Sequence, residues 1–276
     1  MSTSTSAELS ELGIHPKSDR TEARADCPMC GGRDTLGVNT ETGVWHCFKC
    51  HGAGRAGKGN VVDRSVLEAR RQEKHSARER AAELCRRDWD AAAPVPWSDQ
   101  EGAHPYLVRK GVEPIGVRKL RGSLLVPMRD QFGTLWSVQY IKPDGTKTFR
   151  RDARTEYVFH FLQGDREGIG IAEGYATAAS ILKLTGSSVY CTFCAGNMVK
   201  VAPIVRARHP DEKIIVWGDH DATKPLAKNV GFQSAKAAAK LIGGEALFPD
   251  FSRFDHHHPK PTDWNDYLLM EEGHWQ

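Results

Sequence analysis

The chain has 276 residues, of which 39% are apolar and 26% charged, with a formal net charge of +3 and an isoelectric point near 8.4. That composition fills a core. No apolar run approaches the roughly 18 residues that cross a bilayer, so a membrane protein is excluded. The mild positive charge permits a nucleic-acid partner without demanding one. The opening MSTSTSAELSELG has no basic region and no apolar stretch, so no secretory signal is expected and a cytoplasmic, reducing location is the default. In that setting seven cysteines favour metal binding over a disulfide framework.

Residues 1–20 are polar and Ser/Thr-rich, and are expected to fray. Residues 21–60 carry paired cysteines and many glycines with little helical pattern, which suggests a small metal-organised unit. Residues 64–93 lack Gly and Pro and read as a helix of mixed charge, a tether whose basic residues face water. Ala93-Pro94-Val95-Pro96 stops it, because proline removes a donor and restricts its predecessor. Strand-like runs follow at 124–128, 134–141 and 148–150, with Asp144-Gly145 as a hairpin signal. From Gly168 the rhythm changes to strand (GIGIAEG), helix (YATAASILKLT, ended by Gly186), strand (SSVYCTF), helix (198–208), strand (KIIVWGD), helix (NVGFQSAKAAAKLIGG) and strand (EALFPD). Such alternation predicts a parallel sheet with helices on its faces.

Cys27-Pro-Met-Cys30 and Cys47-Phe-Lys-Cys50 are two knuckles that bring four thiolates around one Zn²⁺, a closed structural site. His46 and His51 flank the second knuckle and either could stand in for a cysteine. Cys191 and Cys194 form a third pair without a partner pair and are expected to be buried core thiols; Cys85 has no assigned role. The stretch WHCFKCHGAGRAGKGNVVD resembles the zinc-binding domain of DnaG-type and phage DNA primases. In that family the zinc module helps select the initiation site on the template. Trp45 and Phe48 offer faces for base stacking, and Lys49, Arg55 and Lys58 offer charge for phosphates. Trp45 reads equally well as ribbon core.

Acidic residues fall at the ends of the later strands: Glu173 after GIGIAEG, Asp219 and Asp221 in WGDHD, and Asp263 and Asp266 in PTDWNDYL. In open parallel sheets the site lies beyond the carboxyl ends of the strands, where such acids converge. Clustered carboxylates suit Mg²⁺ or Mn²⁺. AEGYATAASI, WGDHDA and DWNDYL together resemble the Toprim domain of primases from phages and mobile elements, over about residues 166–276. The resemblance implies that Glu173 acts in acid–base or metal work, that Asp219 and Asp221 bind metal, and that Asp263 and Asp266 form the late acidic element. AGN at 195–197 is expected as a turn near the site. Lys224 and Lys228 are expected in a solvated loop, and the consecutive histidines 256–258 in another.

LLVPMRDQFGTLWSVQYI with DGTKTFRRDART, and HPYLVRKGV upstream, resemble the subdomain that precedes Toprim in these primases. Arg129, Asp130, Gly133, Lys142, Lys147, Arg150 and Arg151 stand at the matching places. The basic members would line a groove for template backbone or triphosphate, Lys147 and Arg150 foremost.

The expected architecture is a multidomain α+β chain: a zinc ribbon (1–61), a helical linker (62–96), a basic N-terminal subdomain of the polymerase core (97–165) and an α/β Toprim domain with a parallel sheet (166–276). The expected function is a DNA primase of phage or plasmid type, a nucleotidyltransferase acting in the cytoplasm of a bacterial host. It would join nucleoside triphosphates into short RNA primers on single-stranded DNA, with structural Zn²⁺, catalytic Mg²⁺ or Mn²⁺, and a replicative helicase as a separate protein. The alternatives are a Toprim nuclease and a non-catalytic zinc-ribbon protein that binds single-stranded DNA.

Overall fold

The computed structural model describes residues 3–50, 52–57, 64–97, 100–220, 225, 229–254 and 260–275. It divides into two units, Met1–His75 and Ser76–Gln276. No described helix is long and apolar enough to cross a membrane.

In the first unit α1 (Thr3–Glu11) precedes four short strands, β1 (Glu22–Ala25), β2 (Leu36–Asn39), β3 (Val44–Cys47) and β4 (Ala53–Arg55), in an antiparallel sheet of order β1-β2-β3-β4. From Thr3 onward this stretch is helical instead of frayed. The amides of Leu12 and Ile14 bond back to the Leu9 carbonyl, and Leu9 and Ile14 are fully buried with Leu36, Val38 and Trp45. A sheet this small needs a helix across its apolar face to be stable, and α1 supplies it.

Helix α2 (Arg64–Ala91) spans the division between the units. From Ser76 onward it is not a bare tether: Cys85 is buried with Leu125, Leu135 and Val138, and Arg86 donates to the Leu135 carbonyl at 3.1 Å. The second unit continues with β5 (Ala93–Pro94), α3 (Pro105–Lys110), β6 (Arg118–Leu120), β7 (Ser123–Arg129), β8 (Leu135–Ile141) and β9 (Lys147–Phe149), whose five strands form an antiparallel sheet in chain order. The β8–β9 turn is the one Asp144-Gly145 announces: Asp144 Oδ1 accepts the Thr146 amide at 2.8 Å and Gly145 takes a positive φ of 93°.

A second sheet follows, built from β10 (His160–Leu162), β11 (Arg166–Ala172), α4 (Tyr175–Thr185), β12 (Ser187–Cys191), α5 (Ala195–Arg208), β13 (Ile214–Trp217), α6 (Val230–Ile242), β14 (Glu245–Leu247) and α7 (Trp264–Glu271). Its order is β10-β12-β11-β13-β14. The pairs β11–β12, β11–β13 and β13–β14 are parallel, while β10 is an antiparallel edge. Tyr175, Ala178 and Ile181 of α4 join Met128, Ile141 and Leu162 in one core. Val201 and Val205 of α5 and Ala238 of α6 cover the opposite face through Ile169, Ile171 and Val216. The chain leaves β11 towards β12, then crosses back over β11 to β13, so the crevice at the carboxyl ends of β11 and β13 is the place where ligands bind such sheets.

Helix α5 starts three residues earlier than the sequence pattern suggests, and Ala195–Asn197 is its first turn instead of a separate loop. Asn197 is buried there with every polar atom used. Its amide group donates to the carbonyls of Val158 (2.7 Å) and Thr192 (2.8 Å), and its oxygen accepts the Tyr157 amide (2.7 Å).

Candidate functional site

Glu173 stands in the turn after β11, Asp219 two residues after β13, and Asp263 caps α7. Backbone bonds hold the three loops together: the Phe193 amide donates to the Glu173 carbonyl at 2.7 Å, and the His220 amide to the Thr262 carbonyl at 2.8 Å. Trp217 and Trp264 meet edge to face with centroids 4.8 Å apart, fastening the end of β13 to the start of α7. Phe193 carries a positive φ of 70°, a costly conformation for an aromatic residue. It bends the chain so that the first amide of α5 faces Glu173.

The carboxyls act on one another. Burial, then the negative charges of Asp263 and Glu173, push Asp219 well above the usual carboxylate range, with the Lys147 ammonium opposing. Burial likewise raises Glu173, which Lys147 and the Ala195 N–H pull back and Asp263 pushes further. Asp263 is raised by burial and by Asp266, against Lys110 and the amides of Asp266 and Asn265. Among the described residues, Asp219 Oδ1 is buried with no hydrogen-bond partner. A buried, unpartnered carboxylate oxygen among like charges is stable when a cation neutralises it, and hard oxygen donors suit a divalent ion. Among the described residues, however, these acids do not close into a three-ligand set as the four cysteines do.

Lys147 is the basic residue that reaches this cluster. A Cβ built on Gly174 would lie 3.8 Å from Lys147 Nζ, so the ammonium sits against the Glu173-Gly174 turn. Asp266, by contrast, is occupied: it accepts from the Thr262 amide (2.9 Å), the Thr262 hydroxyl and Lys110. Asp263 Oδ1 also caps the amides of Asn265 and Asp266 at 2.8 and 2.9 Å. Asp221, Lys224, Lys228 and histidines 256–258 lie outside the described residues.

The four knuckle cysteines form the second centre. Their sulfurs all lie within 4.8 Å of one another, with Cys27–Cys50 and Cys30–Cys47 each at 3.8 Å. Four bonds of about 2.3 Å in a tetrahedron give sulfur–sulfur edges of about 3.8 Å, so the set fits zinc. Gly31, with φ of 64°, turns the chain after the first knuckle and donates to the Cys27 carbonyl. The amides of Lys49 and Cys50 lie 3.4 and 3.5 Å from the Cys47 sulfur, as donors to a thiolate do. Among the described residues no histidine joins the set; His51 and Lys58 lie outside them.

Residues 168–273 match the family model described as the Toprim domain. The chain carries a Toprim domain. Two Escherichia coli proteins named DNA primase TraC are similar over longer stretches: one is 30% identical over 254 residues, covering 85% of this chain, and the other 33% identical over 222 residues, covering 75%. The chain spans only 24% and 15% of their respective lengths. Among solved structures, the primase fragment of the bacteriophage T7 primase-helicase protein aligns over 91% of this chain and 95% of its own, with a TM-score of 0.39 and 16% identity. No functional weight rests on a likeness that distant.

The Toprim domain and the antiparallel sheet together account for only part of the basic set that the sequence singles out. Arg150 does not reach the acidic cluster. It pairs with Asp88 of α2, whose carboxylate also accepts the Tyr140 hydroxyl at 2.6 Å, and so ties β9 to α2. Arg129 donates to the Gly133 carbonyl and lines a separate cavity. Arg151 is almost wholly exposed beside Asp152, and Lys142 is exposed at the turn. In the ribbon, Trp45 is only 3% exposed and belongs to the core, so it has no face to offer a base. Phe48 is 58% exposed, with the Arg24 guanidinium 4.6 Å above its ring, and Lys49 is exposed beside it. Cys191 is buried as expected, its thiol pushed up to about 12 by burial. Cys194, however, is exposed because it is the residue before α5. Sequence reasoning missed the Ala195 amide and Lys110. HPYLVRKGV contains Lys110, but nothing in that stretch indicates that its helix lies against α7.

Proposed function

We propose that this chain is the core of a DNA primase that joins ribonucleoside triphosphates into short primers on single-stranded DNA. The observation that carries the reading is the unpartnered, buried Asp219 oxygen among Glu173 and Asp263, with Lys147 alongside. Relatives named DNA primase support it, as does the Toprim match. The proposed segments are a zinc ribbon over 1–61, a linker over 62–96, a basic subdomain over 97–165 and the Toprim domain over 166–276. A replicative helicase acts as a separate protein, and the setting is the bacterial cytoplasm.

Asp219, Glu173 and Asp263 would hold Mg²⁺ or Mn²⁺, with Asp221 as a further ligand. Such an ion, when bound, neutralises charge on the reacting phosphate oxygens and on the departing pyrophosphate. Lys147 sits where its ammonium meets the triphosphate and offsets its charge. Glu173, raised by burial and anchored by the Ala195 amide, accepts the proton of the attacking 3′-hydroxyl. The 3′-oxygen then bonds to the α-phosphorus, and the bond from that phosphorus to the pyrophosphate oxygen breaks. The four cysteines would hold Zn²⁺ and so shape the ribbon that presents Phe48 and Lys49 to the template.

The test is primer synthesis from labelled ribonucleotides on mixed-sequence single-stranded DNA with Mg²⁺, comparing wild type with Asp219→Ala. Short, template-dependent products absent from the variant support the reading. Template cleavage without synthesis would replace it with a nuclease, and binding without either product would replace it with an accessory protein.

A further inference from the structure

Within the second unit, a cavity of about 620 Å³ opens where the edge strand β10 meets β7. Its lining is aromatic: Phe159 and Phe161 each meet Tyr190, with centroids 5.0 and 4.7 Å apart. Phe159 and Tyr190 are buried, while Phe161 and Trp89 are only half-buried. Two guanidiniums flank it. Arg129 lies 6.0 Å from the Trp89 ring, and Arg208 lies 5.9 Å from the Phe159 ring.

Neither arginine has a carboxylate partner among the described residues. The acids that are nearby are already used. Asp130 accepts the amides of Phe132 and Thr134 and the Trp136 indole N–H, and Glu212 bonds to His209, which in turn bonds to the Tyr190 hydroxyl. His160 bonds to the Ile115 carbonyl and is held uncharged by burial, its pKa lowered to about 4. Arg129 itself is destabilised in its charged form by burial and by Arg118, with the charge of Asp90 opposing. An anion would relieve that.

We propose that this cavity binds a nucleotide unit, with phosphate on Arg129 and Arg208 and the base against Phe161, Trp89 and the guanidinium planes. The volume lies in the range of small-ligand pockets. Unpaired arginines beside aromatic rings are the chemistry that holds phosphates and bases without regard to sequence. The Arg208 end of the site is remote from the acidic cluster, while Phe159 lies by the carboxyl end of β12, whose last residue pairs with His160. The first amide of α5 faces Glu173, and Arg208 ends the same 14-residue helix, about 20 Å away at 1.5 Å per residue. A strand touching both ends needs roughly six stacked nucleotides at about 3.4 Å each. The inference rests on the nucleic-acid reading of the chain. It adds a second contact at the β10 edge of the sheet.

The test uses the full chain and a fluorescently labelled oligothymidylate of about twelve residues, titrated by anisotropy at several salt concentrations. Arg208 is exposed at a helix end, so Arg208→Glu and Arg208→Ala are expected to fold, with thermal melting as the check. Arg208→Glu should weaken binding by roughly tenfold and flatten the log–log salt slope by about one, with Arg208→Lys recovering most of the slope. Independently, iodouracil-substituted oligonucleotide irradiated on the wild type should attach within the tryptic peptide 155–166, which contains Phe159 and Phe161. Titration with thymidine monophosphate identifies the source. Binding of the mononucleotide that Arg208→Glu also weakens assigns a free nucleotide, and loss confined to the oligomer assigns a strand. Wild type that binds oligomer with unchanged affinity in Arg208→Glu, and with no attachment in 155–166, overturns this site alone. Wild type that binds no oligomer overturns the nucleic-acid reading beneath it.

Discussion

Asp219→Asn removes the charge of a carboxyl that burial and its acidic neighbours disfavour, while keeping its shape. In the ion-free chain the Asp219 oxygen is buried, unpartnered and faced by Glu173 and Asp263. Asparagine still leaves a polar atom there, but it removes the excess cost of burying that atom as a charge among like charges, on the order of 1–3 kcal/mol. For a unit of this size, each kcal/mol moves the melting temperature by about 2–4 °C, so the variant should melt roughly 2–12 °C above wild type in EDTA at pH 7.5. The pH dependence has a definite sign. The folded chain keeps the Asp219 proton to higher pH than the unfolded chain, so wild-type stability falls as pH climbs from the ordinary carboxylate range to the raised value. The advantage of the variant should therefore shrink towards pH 4. Excess Mg²⁺ should reverse the order, because an ion at a hundred times its dissociation constant stabilises the wild type by about 2.7 kcal/mol and has lost a ligand in the variant. Calorimetric scans of both proteins, with EDTA and with Mg²⁺ at pH 4.5 and 7.5, measure all of this. An Asp219→Asn protein that melts below wild type in EDTA, or whose advantage grows in acid, would refute the reasoning.

Wild type purified without chelator should contain about one zinc per chain by mass spectrometry, and Cys47→Ser should lose it. Limited proteolysis should then open the first unit while the melting of Ser76–Gln276 persists; a zinc-free wild type that resists protease would refute the metal's structural role. Lys147→Gln should lower primer synthesis by about 10²–10³-fold and move the acidic limb of the pH profile upward, because Glu173 loses the cation that depresses it. An unmoved limb would mean that Lys147 does not act on Glu173. Arg150→Ala should reduce melting by roughly 2–8 °C, from about 1–2 kcal/mol, since Asp88 and Tyr140 lose their cation. The salt slope of template binding should stay as it is. A reduced slope with unchanged melting would instead make Arg150 a template contact.

The acidic cluster was legible in part because Glu173 and Asp219 follow runs whose apolar residues and length announce a strand; Asp263, expected at a strand end, instead caps α7. The parallel sheet then brings the ends of those runs together. The cysteine pairs were legible by spacing alone. What could not be read was which side of an element a long side chain favours once a neighbour arrives. Lys147 and Arg150 lie three residues apart in one basic stretch, and only the packing of α2 against β8 and β9 sends Arg150 to Asp88 and leaves Lys147 facing the acids. Trp45 was open between two roles until Gly54 and the neighbouring strand closed over its ring. Leu9 of α1 and Ile14 just after it sit in a polar stretch whose local composition hides a helix made stable by the ribbon it covers.

The exposure of Cys194 has a practical consequence. Of the seven cysteines, four surround one another in the ribbon, Cys85 and Cys191 are buried, and Cys194 alone is exposed. It precedes by one residue the amide that faces the Glu173 carboxylate. A maleimide fluorophore would therefore react there in preference to any other thiol in the zinc-loaded chain. Its emission would report, from the rim of the crevice and in real time, when the carboxylates gain or lose their charge compensation.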